Sequence, residues 1–270
     1  MRPKQNLLMQ KLLSTAIKAA LEAGAEILKV YETNFNVETK DDNSPLTQAD
    51  KNANAVINKY LKTTQIPIIS EENRQLEFSE RKDWIQCWIV DPLDGTKEFI
   101  KRNGEFTVNI ALVENGDPVL GVIYVPVSKE LYFTSEDGKA SKKIVVSSEE
   151  ISVEEIFEQA ELIKPSTITS EVKIVGSRSH LNEDTKNFIS DIEKENTVEI
   201  VSKGSSLKFC LVAEGLAHIY PRYAPTMEWD TAAGHAICKA VGVTVIDQTT
   251  GKPMQYNKPN LLNNYFVVKA

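Results

Sequence analysis

The sequence is poor in cysteine, glycine and proline, and it has no long apolar run. Its 270 residues include 3 Cys, 12 Gly and 11 Pro, so collagen-like and low-complexity classes are excluded. Cys87, Cys210 and Cys238 form no CxxC or His-paired spacing, which fits a reducing compartment and indicates no metal site. No stretch reaches the roughly 18 apolar residues of a membrane helix, and the basic N-terminus lacks a signal-peptide pattern. We expect a cytoplasmic globular protein without an integral membrane segment; peripheral contact with the inner membrane stays an alternative.

Positive charge is also in short supply. The chain has 31 basic and 38 acidic residues, a net charge of −7, and this sign disfavours nucleic acid as a partner. If the ligand is an anion, bound metal ions or local basic residues must make the electrostatic potential at its site positive. The sequence carries no interface pattern that indicates an oligomeric state.

Periodicity divides the chain into two halves that we expect to form one compact unit. Residues 1–136 combine two amphipathic helices with short strands in an antiparallel meander, which predicts an α+β half. Residues 137–270 begin with a charged connector over 141–164 and then alternate strands with helices, which predicts an α/β half. The fold class expected from these patterns is therefore α+β packed on α/β.

Two carboxylates three residues apart follow an apolar strand in residues 88–96, W-I-V-D-P-L-D-G-T. Pro92 and Gly95 fix the backbone around Asp91 and Asp94. Hard divalent cations such as Mg²⁺ prefer carboxylate and carbonyl oxygen as ligands. The same Pro-x-Asp-Gly pattern is typical of a plain β-turn, and this segment alone does not separate a turn from a metal loop.

Other acidic residues have an ordinary structural interpretation when each is taken singly. Glu71 and Glu72 end a predicted strand, where acids are usually solvated. Asp50 completes the capping-box pattern Thr47-x-x-Asp50 at the start of the second helix. Asp230 precedes a helix predicted over residues 231–241, and Asp is a preferred N-cap.

Taken together, these residues resemble the signatures of the inositol monophosphatase family of Mg²⁺-dependent, lithium-sensitive phosphatases. Residues 88–96 match the first signature, and residues 229–234, W-D-T-A-A-G, match the second. The acidic pair after a strand and the Asp of the second helix stand in the expected order. The resemblance implies a layered αβαβα sandwich with the site at the junction of the two halves.

Within this family the chain is similar to the 3′(2′),5′-bisphosphate nucleotidase branch. Lys97-Glu98 follows D-G-T where the inositol branch has Thr-Asn, and further matches lie in residues 102–109, 176–180, 204–210 and 220–222. The resemblance implies hydrolysis of adenosine 3′,5′-bisphosphate to AMP and phosphate, a step linked to sulfate assimilation, with the sulfated nucleotide as a second substrate. Alternatives are an inositol monophosphatase or another sugar phosphatase, and a non-catalytic nucleotide or metal sensor.

The resemblance also implies roles for individual residues. Two or three Mg²⁺ ions would be held by the carboxylates of Glu71, Asp91, Asp94 and Asp230 and by the carbonyl of Leu93. Asp50 and Thr96, together with Glu71, would activate a water for direct attack without a covalent intermediate. The substrate would lie against residues of the metal loop and of two helix starts, where Ser and Gly offer free N–H groups to anions or simply cap the helices. These substrate residues are Glu71, Leu93, Asp94, Gly95, Thr96, Asp230, Gly176, Ser177, His180, Gly204, Ser205, Lys208 and Arg222.

Overall fold

The computed structural model describes residues 3–34, 36–39, 45–135, 137–146, 151–168, 170–176 and 182–270. Its helices are α1 Pro3–Tyr31, α2 Gln48–Leu61, α3 Phe78–Arg81, α4 Thr96–Ile100, α5 Val153–Gln159, α6 Glu183–Glu193, α7 Leu207–Ala213 and α8 Glu228–Ala240, with a 3-10 turn at Lys62–Thr64. Its strands are β1 Val37–Thr39, β2 Pro45–Thr47, β3 Ile68–Ser70, β4 Gln86–Asp94, β5 Thr107–Glu114, β6 Asp117–Val125, β7 Glu130–Thr134, β8 Ser141–Val145, β9 Glu161–Leu162, β10 Glu171–Gly176, β11 Thr197–Ser202, β12 Ile219–Arg222, β13 Thr244–Asp247 and β14 Phe266–Lys269.

The two long N-terminal helices form where apolar spacing predicts them. The face of α1 that carries Leu13, Ile17 and Ala20 is fully buried, and α1 packs against α2. Helix α2 begins with the predicted capping box, because Ala49 N donates to Thr47 Oγ1 at 3.1 Å and Thr47 N donates to Asp50 Oδ2 at 2.7 Å. In the described part of the chain, no helix combines the length and the apolarity that a membrane span requires.

A seven-stranded sheet has the order β3-β4-β5-β6-β7-β8-β9. Strands β3 and β4 are parallel, and every later pair is antiparallel, as the predicted meander requires. The stretch 141–164 is not a plain connector, because it supplies β8, α5 and β9 and carries this sheet past residue 136. Although most of this stretch is charged or polar, it contains three apolar residues that are buried in the core: Val146, Val153 and Ile156.

A second, five-stranded sheet has the order β11-β10-β12-β14-β13. Strand β10 runs parallel to β11 and β12, whereas β14 is antiparallel to both of its neighbours. The sheet is therefore mixed.

The helices separate and cover the two sheets. Helices α7 and α8 fill the space between them, and residues of α7, α8 and both sheets share one apolar cluster. Helices α1 and α2 cover the outer face of the seven-stranded sheet, and α6 packs its Ile189 on the outer face of the five-stranded sheet. Side chains alternate between the two faces of each strand, so Val90 packs in the cluster under α1 and α2 and its neighbour Ile89 packs in the cluster with α7 and α8. The layer order is αβαβα, as predicted.

Candidate active site

The segment with two acids continues a central strand of the seven-stranded sheet. Asp91 is 2% exposed, and its Oδ1 accepts a hydrogen bond from Leu93 N at 3.0 Å. The pairing of β4 with β5 shifts register between Asp91 and Asp94, as at a β-bulge, which re-aims side chains at a sheet edge. The Leu93 side chain is 1% exposed in the core, so this residue offers the site its backbone rather than its side chain.

Gly95 turns the chain from β4 into α4. Its φ of +92° lies in the left-handed region, which favours glycine. A Cβ at this position would lie 3.2 Å from both Glu105 O and the Ser205 side chain. The turn therefore allows residues 91–95 to pack directly against Ser205 of the second half.

Glu71 and Asp230 reach the same place from two other elements. Glu71 follows β3, and its N–H donates to Val90 O on the parallel strand β4 at 3.2 Å. Asp230 lies in the first turn of α8, where its Oδ2 accepts from Met227 N at 2.8 Å. Helix α8 therefore begins at Glu228 rather than at residue 231, and Asp230 caps it from within the first turn instead of serving as the N-cap residue. Trp229, which lies in the first turn of α8, is buried in the core.

These acids line one cavity of about 400 Å³. Its wall contains Glu71, Asp91, Leu93, Asp94, Thr96 and Asp230. We call this region the acidic end of the site. Parallel strand ends, a bulge and a helix start thus bring four carboxylates together from three separate parts of the chain.

Burial and nearby negative charges raise the pKa values of Asp91, Asp94 and Asp230. Burial raises the pKa of Asp91 well above its ordinary value, and the charges of Glu71, Asp94 and Asp230 raise it further. Burial raises the pKa of Asp230 to about 8, with Asp94 adding to the effect. Burial also raises the pKa of Asp94 to about 6, opposed by the Lys208 charge and by the Ser206 N–H. A bound cation would relieve this repulsion and favour the ionised forms.

The donor set fits a hard divalent cation in its chemistry, because it consists of carboxylate oxygens and one backbone carbonyl. Asp91, Asp94 and Asp230 each use one oxygen to accept a backbone N–H, which fixes the orientation of each side chain. Within the described residues, no three His, Cys, Asp or Glu side chains are already arranged so that they could hold a metal ion together. The acids share a cavity without forming a closed ligand cage.

Asp50 and Thr96 meet beside this cavity. Thr96 Oγ1 lies 3.4 Å from Asp50 Oδ1 and 3.4 Å from Leu93 O. Asp50 is 2% exposed, and its other carboxylate oxygen accepts from the N–H and the hydroxyl of Thr47, both at 2.7 Å. The capping box therefore holds Asp50 in place while its second oxygen faces the Thr96 hydroxyl. This geometry is compatible with both roles predicted for Asp50, which are capping of α2 and activation of a water.

A larger cavity of about 740 Å³ adjoins the acidic end and shares Asp94, Gly95 and Asp230 with it. Its wall is rich in cations: Lys97, Lys101, Lys203, Lys208 and Arg222. Gly204 and Ser205 complete the same wall. We call this region the basic end of the site.

Lys208 and Arg222 have the most constrained surroundings at the basic end. Lys208 Nζ donates to Ser205 O at 2.7 Å and lies 5.4 Å from the centre of the Tyr220 ring. Burial lowers the pKa of Lys208 to about 8, although Asp94 acts in the opposite direction. Arg222 Nη2 donates to Pro225 O at 3.1 Å, and within the described residues its buried Nε has no hydrogen-bond partner. An anion bound in this cavity would give this donor an acceptor.

The first of the two predicted anion-binding helix starts is described only in part. Gly176 ends β10 and accepts a weak hydrogen bond from Lys203 N at 3.4 Å, but it is not among the residues that line either cavity. Ser177 and His180 lie outside the described residues, and their roles stay predictions.

A sequence model described as the inositol monophosphatase family matches residues 8–268 of the chain. The chain belongs to the inositol monophosphatase family. Members of this family are generally metal-dependent phosphatases, which agrees with the oxygen-rich acidic end.

Individual relatives place the chain within the family. It is 44% identical over 262 residues to the 3′(2′),5′-bisphosphate nucleotidase CysQ of Shigella flexneri and 45% identical to that of Salmonella typhimurium, matches that each cover 95% of this chain and 99% of the relative. The crystal structure of CysQ from Bacteroides thetaiotaomicron superposes with a TM-score of 0.86 at 48% identity and covers 97% of each chain. The IMPase of Thermotoga maritima matches at a TM-score of 0.71 and 23% identity, which shows the shared fold alone.

Some cavity residues were not singled out by sequence. Lys101 is the C-cap residue of α4, four residues after Lys97, and it lines the same wall. The i, i+4 spacing of the two lysines was the available signal. Lys203 directly precedes the Gly204 segment. The roles of the acids and of Asp50, Thr96, Gly204, Ser205, Lys208 and Arg222 in this family member stay predictions, although the structure brings all of these residues to one site.

Proposed function

We propose that this protein is a Mg²⁺-dependent 3′(2′),5′-bisphosphate nucleotidase that hydrolyses adenosine 3′,5′-bisphosphate to AMP and phosphate. The observation that carries the proposal is the continuity of an acidic end with a basic end in a single site. Relatives named as CysQ nucleotidases, which match over nearly the full chain, support the same activity. The sulfated form of the nucleotide is a second substrate, and the reaction serves sulfate assimilation.

The basic end accounts for a substrate with two phosphates. Its volume of about 740 Å³ lies in the range of about 300–1,000 Å³ that is usual for small-molecule sites. If the 3′-phosphate lies at the acidic end, the 5′-phosphate reaches the cations Lys208 and Arg222. Charge-assisted hydrogen bonds of this kind are among the stronger ones in proteins. An inositol monophosphate would leave these cations without a phosphate partner.

The acidic end accounts for the metal requirement. The carboxylates of Glu71, Asp91, Asp94 and Asp230, with the Leu93 carbonyl, are the groups that would hold two or three Mg²⁺ ions. When bound, Mg²⁺ polarises a phosphoryl oxygen, lowers the pKa of water and neutralises charge on the leaving group. A bound cation would relieve the repulsion among these carboxylates and favour their ionised forms.

Asp50 and Thr96 are the residues that would handle the proton of the attacking water. A threonine hydroxyl is a poor base by itself, but a hydroxyl that donates to a buried carboxylate can accept a proton as it passes its own on. The Thr96–Asp50 contact of 3.4 Å provides this pair. Among the described residues that line the acidic end there is no Ser, Cys or His, which supports direct attack by water without a covalent intermediate.

The proposal is tested by phosphate release from adenosine 3′,5′-bisphosphate and from inositol 1-phosphate, each with Mg²⁺, with EDTA and with added Li⁺. We expect Mg²⁺-dependent, Li⁺-sensitive release with a strong preference for the nucleotide. Preference for the inositol ester would overturn the substrate assignment and leave the metal chemistry intact. Release from neither compound, with the nucleotide still bound, would favour the sensor alternative.

A further inference from the structure

A buried polar cluster lies directly behind the acidic end. It consists of Thr107, Asn109 and Ser206, which are 0%, 1% and 2% exposed. Ser206 Oγ donates to Asn109 Oδ1 at 2.7 Å, and Thr107 Oγ1 donates to the same oxygen at 3.1 Å. The two hydroxyls also lie 2.8 Å from each other. Buried polar groups need such partners, and here each of the three side chains contacts the other two.

The cluster holds one oxygen of Asp94. Ser206 N donates to Asp94 Oδ2 at 2.5 Å, and Asn109 Nδ2 donates to the same oxygen at 3.4 Å. Because Oδ1 of Asn109 accepts both hydroxyls, its amide nitrogen must be the group that faces Asp94. The orientation of the carboxylate is thus set by residues from both halves of the molecule.

The same cluster is attached to the wall of the basic end. Ser206 directly follows Gly204 and Ser205, which line the larger cavity. Gly204 N donates to Glu105 Oε2 at 2.9 Å, and Ser205 has a φ of +44°, a conformation uncommon for a residue with a side chain. Residues 203–206 are therefore fixed at one side by Glu105 and at the other by Asp94 and Asn109. A displacement of these residues would therefore move the N–H of Ser206, which donates a hydrogen bond to Asp94.

We propose that Asn109 and Ser206, supported by Thr107, are positioning residues that fix the Asp94 carboxylate and couple nucleotide binding at residues 203–206 to metal binding at Asp94. The inference rests on the proposed function. Hydrogen bonds behind a metal-binding carboxylate orient it and raise its affinity for the ion. Coupling between two sites is reciprocal, so a nucleotide that stabilises this conformation of residues 203–206 tightens metal binding.

The test is direct measurement of Mn²⁺ binding by electron paramagnetic resonance, with and without AMP. Ser206→Ala keeps the N–H that reaches Asp94 and removes the hydroxyl that holds Asn109. We expect its Mn²⁺ dissociation constant to rise about tenfold and the tightening by AMP to shrink.

Ser141→Ala is the matched control. Ser141 is 0% exposed and donates to Ile237 O at 2.9 Å, so this variant also loses one buried serine hydroxyl, but away from the site. Its Mn²⁺ binding should equal that of the wild type. Thr107→Val, which keeps the side-chain shape, is the second variant if Ser206→Ala does not fold, and it should weaken Mn²⁺ binding in the same direction.

The outcomes separate the inference from the proposed function. Wild-type Mn²⁺ affinity in Ser206→Ala and in Thr107→Val overturns the inference, whatever the enzyme hydrolyses. Failure of the wild-type protein to bind Mn²⁺ overturns the proposed function and the inference together. Weaker binding that is equal in Ser206→Ala and Ser141→Ala shows a general loss of stability and also overturns the inference.

Discussion

The two ends of the site are built in different ways. At the acidic end, Asp91, Asp94 and Asp230 come from a central strand and a helix start, and each accepts a backbone N–H. At the basic end, the cations come from α4 and its C-cap, from the loop before Gly204, from α7 and from β12 in the middle of the second sheet, and Lys97 and Lys101 are exposed. Chemistry that depends on the position of ions needs rigid supports. Lys208 and Arg222 are held as well, each by donating to a backbone carbonyl, whereas the exposed Lys97 and Lys101 are the less constrained cations.

This contrast assigns different kinetic roles to the two ends. Changes at the acidic end should lower turnover, because they remove stabilisation that exists in the transition state. Changes at the basic end should mainly weaken substrate binding, because the 5′-phosphate does not react. Lys208 joins the two ends, since its charge acts on Asp94.

The largest effect is expected for Asp91→Asn. Loss of one buried carboxylate removes several kcal/mol of metal-based stabilisation, which corresponds to a fall in kcat/KM of about 10³-fold. Steady-state phosphate release at varied Mg²⁺ measures it. Asp137→Asn, the same change in a half-buried turn between β7 and β8 of the same sheet, is the control and should behave as wild type. Activity of Asp91→Asn close to that control would remove Asp91 from the site.

The next effect is expected for Thr96→Val. Without the hydroxyl that contacts Asp50, kcat should fall by about 10²-fold, as for loss of general base assistance, while KM changes little. Thr134→Val removes another buried threonine hydroxyl, whose Oγ1 accepts from Gly121 N, and should keep full kcat. A rise in KM alone in Thr96→Val would contradict the assignment of this pair to water activation.

A smaller effect is expected for Arg222→Gln. Loss of one charge-assisted contact to the 5′-phosphate costs about 1.5–3 kcal/mol, so KM for adenosine 3′,5′-bisphosphate should rise by roughly tenfold or more while kcat is kept. Arg74→Gln, at a side chain that is 76% exposed, is the control. If Arg222→Gln lowers kcat instead, the basic end takes part in the reaction and the contrast between the ends is wrong.

The smallest effect concerns the stability of the metal-free protein. Asp230 has a folded-state pKa of about 8 against an ordinary value of 3.8, so the folded state keeps this proton between about pH 4 and pH 8 while the unfolded state releases it. Stability in EDTA should therefore fall as pH rises through this window. Asp230→Asn should melt above the wild type by a margin of several degrees that grows from about pH 5 to about pH 8. Thermal unfolding measures this margin; a margin that shrinks with rising pH would contradict the raised pKa.

The sequence predicted the fold well where apolar spacing and capping agree. The start of α2 follows from Thr47 and Asp50, and the antiparallel meander predicted for the first half forms as β5, β6 and β7. Residues 141–164 were misjudged because charged side chains surround the few buried apolar ones. Strands β1 and β2 are three residues each and carry no alternation long enough to predict.

The site was predictable as a list of residues but not as an arrangement. Signature order identified the acids, yet only the fold shows that Asp94 meets Ser206, 112 positions later. Nothing local in Thr107 or Asn109 indicates contact with Ser206. The position of the buried Lys208 ammonium likewise depends on tertiary packing against Tyr220. Residue spacing in the sequence does not predict this contact.

The central claim is that one end of the site hydrolyses a phosphate while the other end recognises a second one. The most direct test compares kcat/KM of the wild-type protein for adenosine 3′,5′-bisphosphate and for adenosine 3′-monophosphate at saturating Mg²⁺. We predict a preference of at least about tenfold for the bisphosphate, the value of one or more charge-assisted contacts. Equal kcat/KM for the two nucleotides would contradict the account, because the basic end would then contribute nothing to recognition.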